Sequence, residues 1–220
     1  MRTRSSDNWN FKAGGLNKLN IDIIEISDNY PTINCKEINT EAKGVWCNYA
    51  TQIDLQNRFV NMFVDDYILE RYWNDPKRYV SIFNKAEYVM SPDYSLLIGM
   101  PEVMQMWQVY RNRAVGYYWQ SKGINVVPTI SWSDRNSFNF AFKWINKGSI
   151  VAVSNIGCRN EEQLINFTEG YNEMIKQIQP NKIIFQCSKK YRQMFNANNV
   201  IFIDSYWDNK RKWEEEVVNQ

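Results

Sequence analysis

Apolar and polar positions are organised in blocks from about residue 59 onward. Phe59-Val-Asn-Met-Phe-Val64 is a short apolar run that ends in Asp65-Asp66-Tyr67 and reads as a strand. Asn74-Asp-Pro-Lys then opens a helix through about Phe83, with Asp75 suited to its cap and Pro76 to its first turn. Tyr88-Val-Met90 is a second short strand, followed by the polar run Ser91-Pro-Asp-Tyr-Ser95. Pro101-Glu102 opens the longest helix, to about Ser121, and Gly123 sits where a left-handed C-terminal cap is wanted. Val103, Met106, Trp107, Tyr110, Ala114, Tyr117 and Tyr118 fall at helical spacing, which predicts one broad buried face.

The alternation continues. Ile124-Asn-Val-Val-Pro-Thr-Ile130 is a strand running into Ser131-Trp-Ser-Asp134, and Asp134 can cap an aromatic helix from Ser137 to Ile145. Ser149-Ile-Val-Ala-Val153 is almost wholly apolar, as expected of a parallel strand covered on both faces. Asn160 with Gln163 matches a capping box, and the helix behind it shows Leu164, Phe167, Tyr171, Met174, Ile175 and Ile178 before stopping at Pro180. Lys182-Ile-Ile-Phe185 and Val200-Ile-Phe-Ile203 are strands that end in Gln186 and Asp204, with a short helix near Tyr191 between them.

Strand, helix, strand in steady succession implies an α/β fold of repeated βα units with parallel strands. Six such strands, with earlier candidates at Ile21-Asp-Ile-Ile-Glu-Ile26 and Gly44-Val-Trp-Cys47, favour a TIM-barrel-like closure. An open doubly wound sheet is the alternative. Residues 1–58 are less regular and read as an N-terminal extension packed on an α/β domain of residues 59–220, one structural unit in all.

Composition narrows the chemistry. An apolar content of 44% excludes general disorder, and no apolar run approaches the roughly 20 residues that cross a bilayer. No signal-peptide core follows Met1-Arg-Thr-Arg, so the expected location is the cytoplasm, with no membrane partner. A net charge of +2 does not argue for a dedicated nucleic-acid binder. That partner stays open on three Lys/Arg clusters: Arg71 to Arg78, Lys189 to Arg192 and Lys210 to Lys212. The chain has no histidine, and its four cysteines form no CxxC pair. Ser-His-Asp and Cys-His catalysis and every His-containing zinc site are thereby excluded, and no cofactor is expected. Aromatic residues reach 15%, enough to fill a core and leave a stacking surface for a ring-bearing ligand.

Six segments carry a family resemblance: Val64-Asp-Asp-Tyr67, Ser91-Pro-Asp-Tyr-Ser95, Tyr110-Arg-Asn-Arg-Ala114, Gly116-Tyr-Tyr-Trp119, Pro128-Thr-Ile-Ser-Trp132 and Val151-Ala-Val-Ser-Asn-Ile-Gly-Cys158. Together they resemble an uncharacterised domain family spread among bacteriophages, plasmids and other mobile elements, over roughly residues 59 to 190. The resemblance implies a phage or mobile-element protein working inside a bacterial cell, and transfers no mechanism. A likeness to base-exchanging transglycosylase barrels is analogy at the level of fold alone.

In parallel α/β folds of either closure, ligands bind at the carboxyl ends of the strands. Asp66 and Asp93 are the catalytic candidates there, with Asp65 beside them. Such carboxylates could act as general acid and base, supply a nucleophile, or hold a divalent metal such as magnesium. They could equally be helix caps. The ligand-binding candidates are Tyr67, Tyr94, Ser95, Arg111, Arg113, Trp132, Ser154, Asn155 and Gln186. Tyr94 and Trp132 could stack a base or belong to the core. Arg111 and Arg113, two residues apart on a helix, should point about 200° apart, so one should face inward to a strand-end carboxylate or a ligand phosphate. Ser154-Asn-Ile-Gly157 has the look of a phosphate-cradling turn without a full glycine motif, and Cys158 beyond it could have a lowered pKa.

Three functions compete. The first is an enzyme directed at a nucleotide or nucleobase, cleaving or exchanging a glycosidic bond. The second is a non-catalytic binder that sequesters a host nucleotide or host protein in host takeover or counter-defence. The third is a replication accessory that contacts DNA.

Overall fold

A computed structural model describes residues 26–27 and 30–205. Most of the strand expected at residues 21–26, and the basic cluster at 210–212, lie outside the described residues. Two short strands, β1 (Ile26–Ser27) and β2 (Tyr30–Pro31), pair antiparallel.

The main sheet is parallel throughout. Strands β3 (Lys43–Trp46), β4 (Arg58–Asn61), β5 (Tyr88–Met90) and β6 (Val126–Val127) lie side by side in that order, and so do β7 (Val151–Ser154), β8 (Ile183–Gln186) and β9 (Val200–Ile203). The two sets meet just beyond β6. There the Ala152 N–H donates to the Pro128 carbonyl and the Ile130 N–H donates to the Ala152 carbonyl, both at 2.9 Å. Each strand therefore neighbours the strands next to it in sequence. A doubly wound sheet would reverse this order at a switch point, and no reversal occurs among the described residues. No hydrogen bond joins β9 to β3 among the described residues, so a closed barrel is not formed. The two edges nonetheless approach: Gly44 and Trp46 of β3 line one cavity of about 270 Å³ with Ile201 and Ile203 of β9.

The helices follow local signals closely. Asp75 accepts from the Arg78 N–H at 3.3 Å and opens a 3-10 turn, Pro76–Tyr79, that runs into α2 (Val80–Phe83). The longest helix, α3 (Glu102–Ser121), ends before Gly123, whose φ of +84° supplies the left-handed turn. Asp134 caps a 3-10 turn leading to α4 (Phe138–Ala141), which stops short of Ile145; beyond it Trp144 turns left-handed at φ +61°. Asn160 caps α5 (Glu161–Ile178) by accepting from the Gln163 N–H, while the Gln163 side chain accepts from Arg159 and not from Asn160. One helix was not expected: α1 (Asp66–Asn74) starts directly after β4 and buries Leu69, Tyr72 and Trp73.

The buried face of α3 differs from the expected one over its first half, while Ala114 and Tyr118 of the expected face are buried. Val103 is 73% exposed and Trp107 is 43% exposed. The stripe turned inward is Gln105, Val109, Asn112, Gly116 and Trp119, half a turn away. Two stripes were available in the sequence. The one interrupted by amides is buried because those amides find partners: Gln105 donates to the Met100 carbonyl at 2.8 Å and accepts from the Ser133 hydroxyl at 2.6 Å.

Candidate active site

The polar strand ends surround a cavity of about 400 Å³. Its walls come from the segments after six of the strands. Asn48 follows β3, Phe63, Val64, Asp65, Tyr67 and Ile68 follow β4, Asp93 follows β5, Ser154 and Ile156 belong to the end of β7, Gln186 ends β8, and Ser205 follows β9. The turn after β6 borders a second cavity of about 500 Å³, with Ser95 to Ile98, Ser131 to Ser133, Cys158, Asn166 and Phe167. Asp93 and Ser154 line both cavities and so stand where the two meet.

A buried network fixes Asp93 in place. On α3, Asn112 donates to the Pro92 carbonyl at 2.7 Å and to the Thr129 hydroxyl at 2.6 Å, and accepts from the Ser91 hydroxyl at 3.0 Å. Arg113 donates to Asn112 Oδ1 and to the Thr129 and Ala141 carbonyls. The segments after β5 and β6 are thus clamped to α3, and the Ser131 hydroxyl donates to Asp93 Oδ1 at 3.1 Å. Burial pushes the Asp93 carboxyl up to about 7, and the nearby Asp66 charge adds to the rise. The bonds from Ser131 and Thr129 and the Arg113 charge oppose it without cancelling it.

The two adjacent aspartates divide their roles. Asp66 accepts from the N–H and hydroxyl of Ser95 and from Gln108, and lines neither cavity. Asp65, at the N-cap of α1, accepts no capping bond; it is exposed and lines the first cavity. Tyr67, 76% exposed, stands at the rim of the same cavity.

Several candidates turn inward. Tyr94 is buried, its hydroxyl donates to the Leu69 carbonyl, and the Arg111 guanidinium lies 3.9 Å from its ring centre, so that face has no room for a ligand base. Arg111 pairs with Glu70 at 2.5 Å and with Gln108, not with a strand-end aspartate. Both arginines are buried: Arg111 faces the neighbouring helix α1 through Glu70, as one of the two was expected to, and the Arg113 charge reaches the strand-end Asp93 without a direct pair. Trp132 borders the second cavity but packs on Phe167, Phe142 and α5 at Gly170, so it is in large part core.

Around the turn after β7, the Ser154 hydroxyl donates to Gln186 Oε1 at 3.0 Å. Asn155 is buried, donating to Cys187 and accepting from the Ser188 N–H, which makes it a brace beneath the cavity. Helix α5 begins only at Glu161, so Ser154-Asn-Ile-Gly157 is not its first turn. Burial raises the Cys158 thiol instead of lowering it.

Among the described residues, no three Cys, Asp or Glu side chains come together as a metal site, so Asp65, Asp66 and Asp93 do not form a cation cage. The two described basic clusters lie apart. Arg71 to Arg78 lie on the connection between β4 and β5, and Lys189 to Arg192 on the connection between β8 and β9. The wall residues of the first cavity that sequence reasoning missed, Asn48, Phe63, Val64, Ile68, Ile156 and Ser205, share the signal that found the others: each follows a strand.

No helix among the described residues is long and apolar enough to cross a membrane. No solved structure matches the chain. It is 32% identical to the Gene 1 protein of Mycobacterium phage L5, over 96% of this chain and 95% of that protein. It is also 32% identical to the Gene 1 protein of Mycobacterium phage D29, over 97% of this chain and 83% of that one. The family model for a domain of unknown function, DUF4417, matches residues 29–206, which span every strand of the parallel sheet and both cavities, and the chain belongs to that family.

Proposed function

We propose that the strand-end cleft takes a nucleobase-bearing ligand and that Asp93 acts on its glycosidic bond as general acid and base. One observation carries this reading: a carboxyl group pushed up to about 7 stands where the two cavities meet. Such a group is available in both protonation states near neutral pH, which is what proton transfer in either direction needs. A ligand reaching across both cavities would hold the bond between its two parts beside Asp93. Phe63, Ile68 and Ile156 offer apolar walls to a flat ring, and Ser154 and Gln186 offer polar contacts to its edge.

The sequential strand order and the shared β3–β9 cavity support a barrel-like curl of the sheet, and such barrels carry their sites at this end. The likeness to phage proteins supports a role inside a bacterial host cell.

The test is incubation of the full chain with nucleosides, nucleotides and single-stranded DNA. Released base is measured by chromatography and binding by thermal shift. The expected result is base release that Asp93→Asn abolishes while the ligand-induced shift persists. A shift with no release from the wild-type protein replaces catalysis with capture. Neither shift nor release from any of these compounds overturns the reading.

A further inference from the structure

Building on the glycosidic-bond chemistry assigned to Asp93, we infer that Asp65 is the second carboxylate of the site and that its substrate is an unphosphorylated N-glycoside, a nucleoside and not a nucleotide.

The argument begins with how two adjacent aspartates are used. Asp66 is occupied on both oxygens by Ser95 and Gln108, and so ties the start of α1 to the segment after β5. Asp65 sits at the N-cap of that helix, yet its side chain accepts no capping bond. A helix start normally recruits its cap carboxylate, and this one is left to face the cavity that Asp93 also lines. The two cavity carboxylates differ in setting: Asp65 is exposed and Asp93 is half-buried. Paired carboxyl groups in unlike environments are the arrangement that separates an acid from a charge-stabilising partner.

Charge then selects the substrate. Among the described residues that line the two cavities, the carboxyl groups are Asp65 and Asp93, with no Lys or Arg. The two arginines that could have received a phosphate are engaged elsewhere, Arg111 on Glu70 and Arg113 on backbone carbonyls. A phosphate entering this cleft would meet the Asp65 carboxylate with no Lys or Arg among the described lining residues; the Arg113 charge reaches Asp93, but its N–H groups are taken by Asn112 and backbone carbonyls. A sugar carbon that loses its base becomes positive in the transition state, and carboxylates favour that charge.

The step balances with water as co-reactant. The Asp93 carboxylic acid gives its proton to the departing base nitrogen as the C1′–N bond breaks and its electron pair moves to nitrogen. Asp65 faces the positive C1′ carbon. Water adds its oxygen to C1′ and returns a proton to Asp93, leaving free base and free sugar.

The experiment compares adenosine, cytidine, guanosine and uridine with their 5′-monophosphates on the full chain, as wild type, Asp65→Asn and Asp65→Lys. Base release from at least one nucleoside should exceed that from its monophosphate by at least about tenfold in kcat/KM. Asp65→Asn should lower kcat about tenfold or more, the scale of removing one electrostatic stabiliser, with KM and melting temperature little changed. Asp65→Lys should tighten monophosphate binding. Turnover of monophosphates equal to that of nucleosides, release from single-stranded DNA alone, or an unchanged kcat in Asp65→Asn overturns this inference and leaves the Asp93 reading in place. Release from none of these compounds overturns both.

Discussion

Ser95 donates both its backbone N–H, at 3.1 Å, and its hydroxyl, at 2.9 Å, to Oδ1 of Asp66. This doubled contact joins the first residue of α1 to the segment that carries Asp93, 29 residues along the chain. Asp66→Ala removes both acceptors, and hydrogen bonds to a charged group contribute about 1.5–3 kcal/mol each. The contact is half-exposed, so a net loss of about 2–3 kcal/mol is expected in urea unfolding. Asp65→Ala, which breaks no capping bond, should cost less than about 1 kcal/mol. Equal losses at the two positions would contradict this division of roles.

Arg111 is predicted to be structural. Its guanidinium covers the Tyr94 ring and holds Glu70 and Gln108 with its nitrogens. Arg111→Met keeps the stem packed and removes the charge. Glu70 is 43% exposed and can turn to water, so the loss should be about 1–3 kcal/mol, below that of breaking a fully buried pair. The melting temperature of the protein without any ligand should fall accordingly. An unchanged melting temperature, with loss of the response to nucleotides, would restore the ligand-binding role expected from the sequence.

What the sequence made legible, and what it hid, follows from physical causes. The strands at Phe59, Tyr88, Val151 and Ile183 were visible because a parallel strand covered on both faces is a continuous apolar run closed by polar residues, and the half-buried edge strand at Val200 shows the same run. The same rule placed Asp93, Ser154 and Gln186 at one end of the sheet. Side-chain direction was less legible. Nothing in Asp65-Asp66 says which carboxylate the helix start will use, because that depends on Ser95, 29 residues away. Tyr94 and Arg111 read as separate ligand contacts, and only folding reveals that they satisfy each other. Apolar spacing alone points to Val103 and Trp107 on α3 and finds Ala114 and Tyr118, but it gives no sign of Gln105 and Asn112, which are buried by the bonds they make.

Trp107 tests that correction. A tryptophan in the core costs about 3–5 kcal/mol when cut to alanine. At 43% exposure, with Trp73 and Tyr110 as ring neighbours, Trp107→Ala should cost about 1–2 kcal/mol. A loss above about 3 kcal/mol would mean that this face of the helix is covered in solution.

Gly170 should resist the substitution that usually helps a helix. Gly to Ala in a helix interior ordinarily gains about 1 kcal/mol. A Cβ at position 170 would overlap the Trp132 indole, and overpacking of this kind costs about 1–3 kcal/mol. Gly170→Ala is therefore expected to destabilise α5 and to push Trp132 toward the second cavity. A blue-to-red shift of tryptophan emission would accompany the move, and a net gain in stability would refute it.

The pH dependence of Asp93 is the most direct check on the site. Its carboxyl is pushed from an ordinary 3.8 up to about 7 by burial, so the folded chain holds that proton more tightly than the unfolded chain does. Below about pH 4 both states are protonated and the group carries no penalty. As pH rises from there to about 7, the unfolded state loses its proton first and stability falls; above 7 the penalty is constant. At about 1.4 kcal/mol per unit the full penalty is about 4–5 kcal/mol, and partial exposure of the carboxyl reduces it to about 2–4. Asp93→Asn removes this titration. The variant should therefore gain stability over the wild type at pH 8 by more than it does at pH 4.5, with the difference developing between those values. Base release by the wild type, if Asp93 is the acid, should decline as pH rises past about 7, in the same range in which the stability difference levels off. Urea titrations of both proteins at four or five pH values measure the first effect and chromatography the second. A stability difference that is flat from pH 4.5 to 8 would show that Asp93 titrates as an ordinary surface carboxylate, and the cleft would then lose the group on which its acid–base chemistry depends.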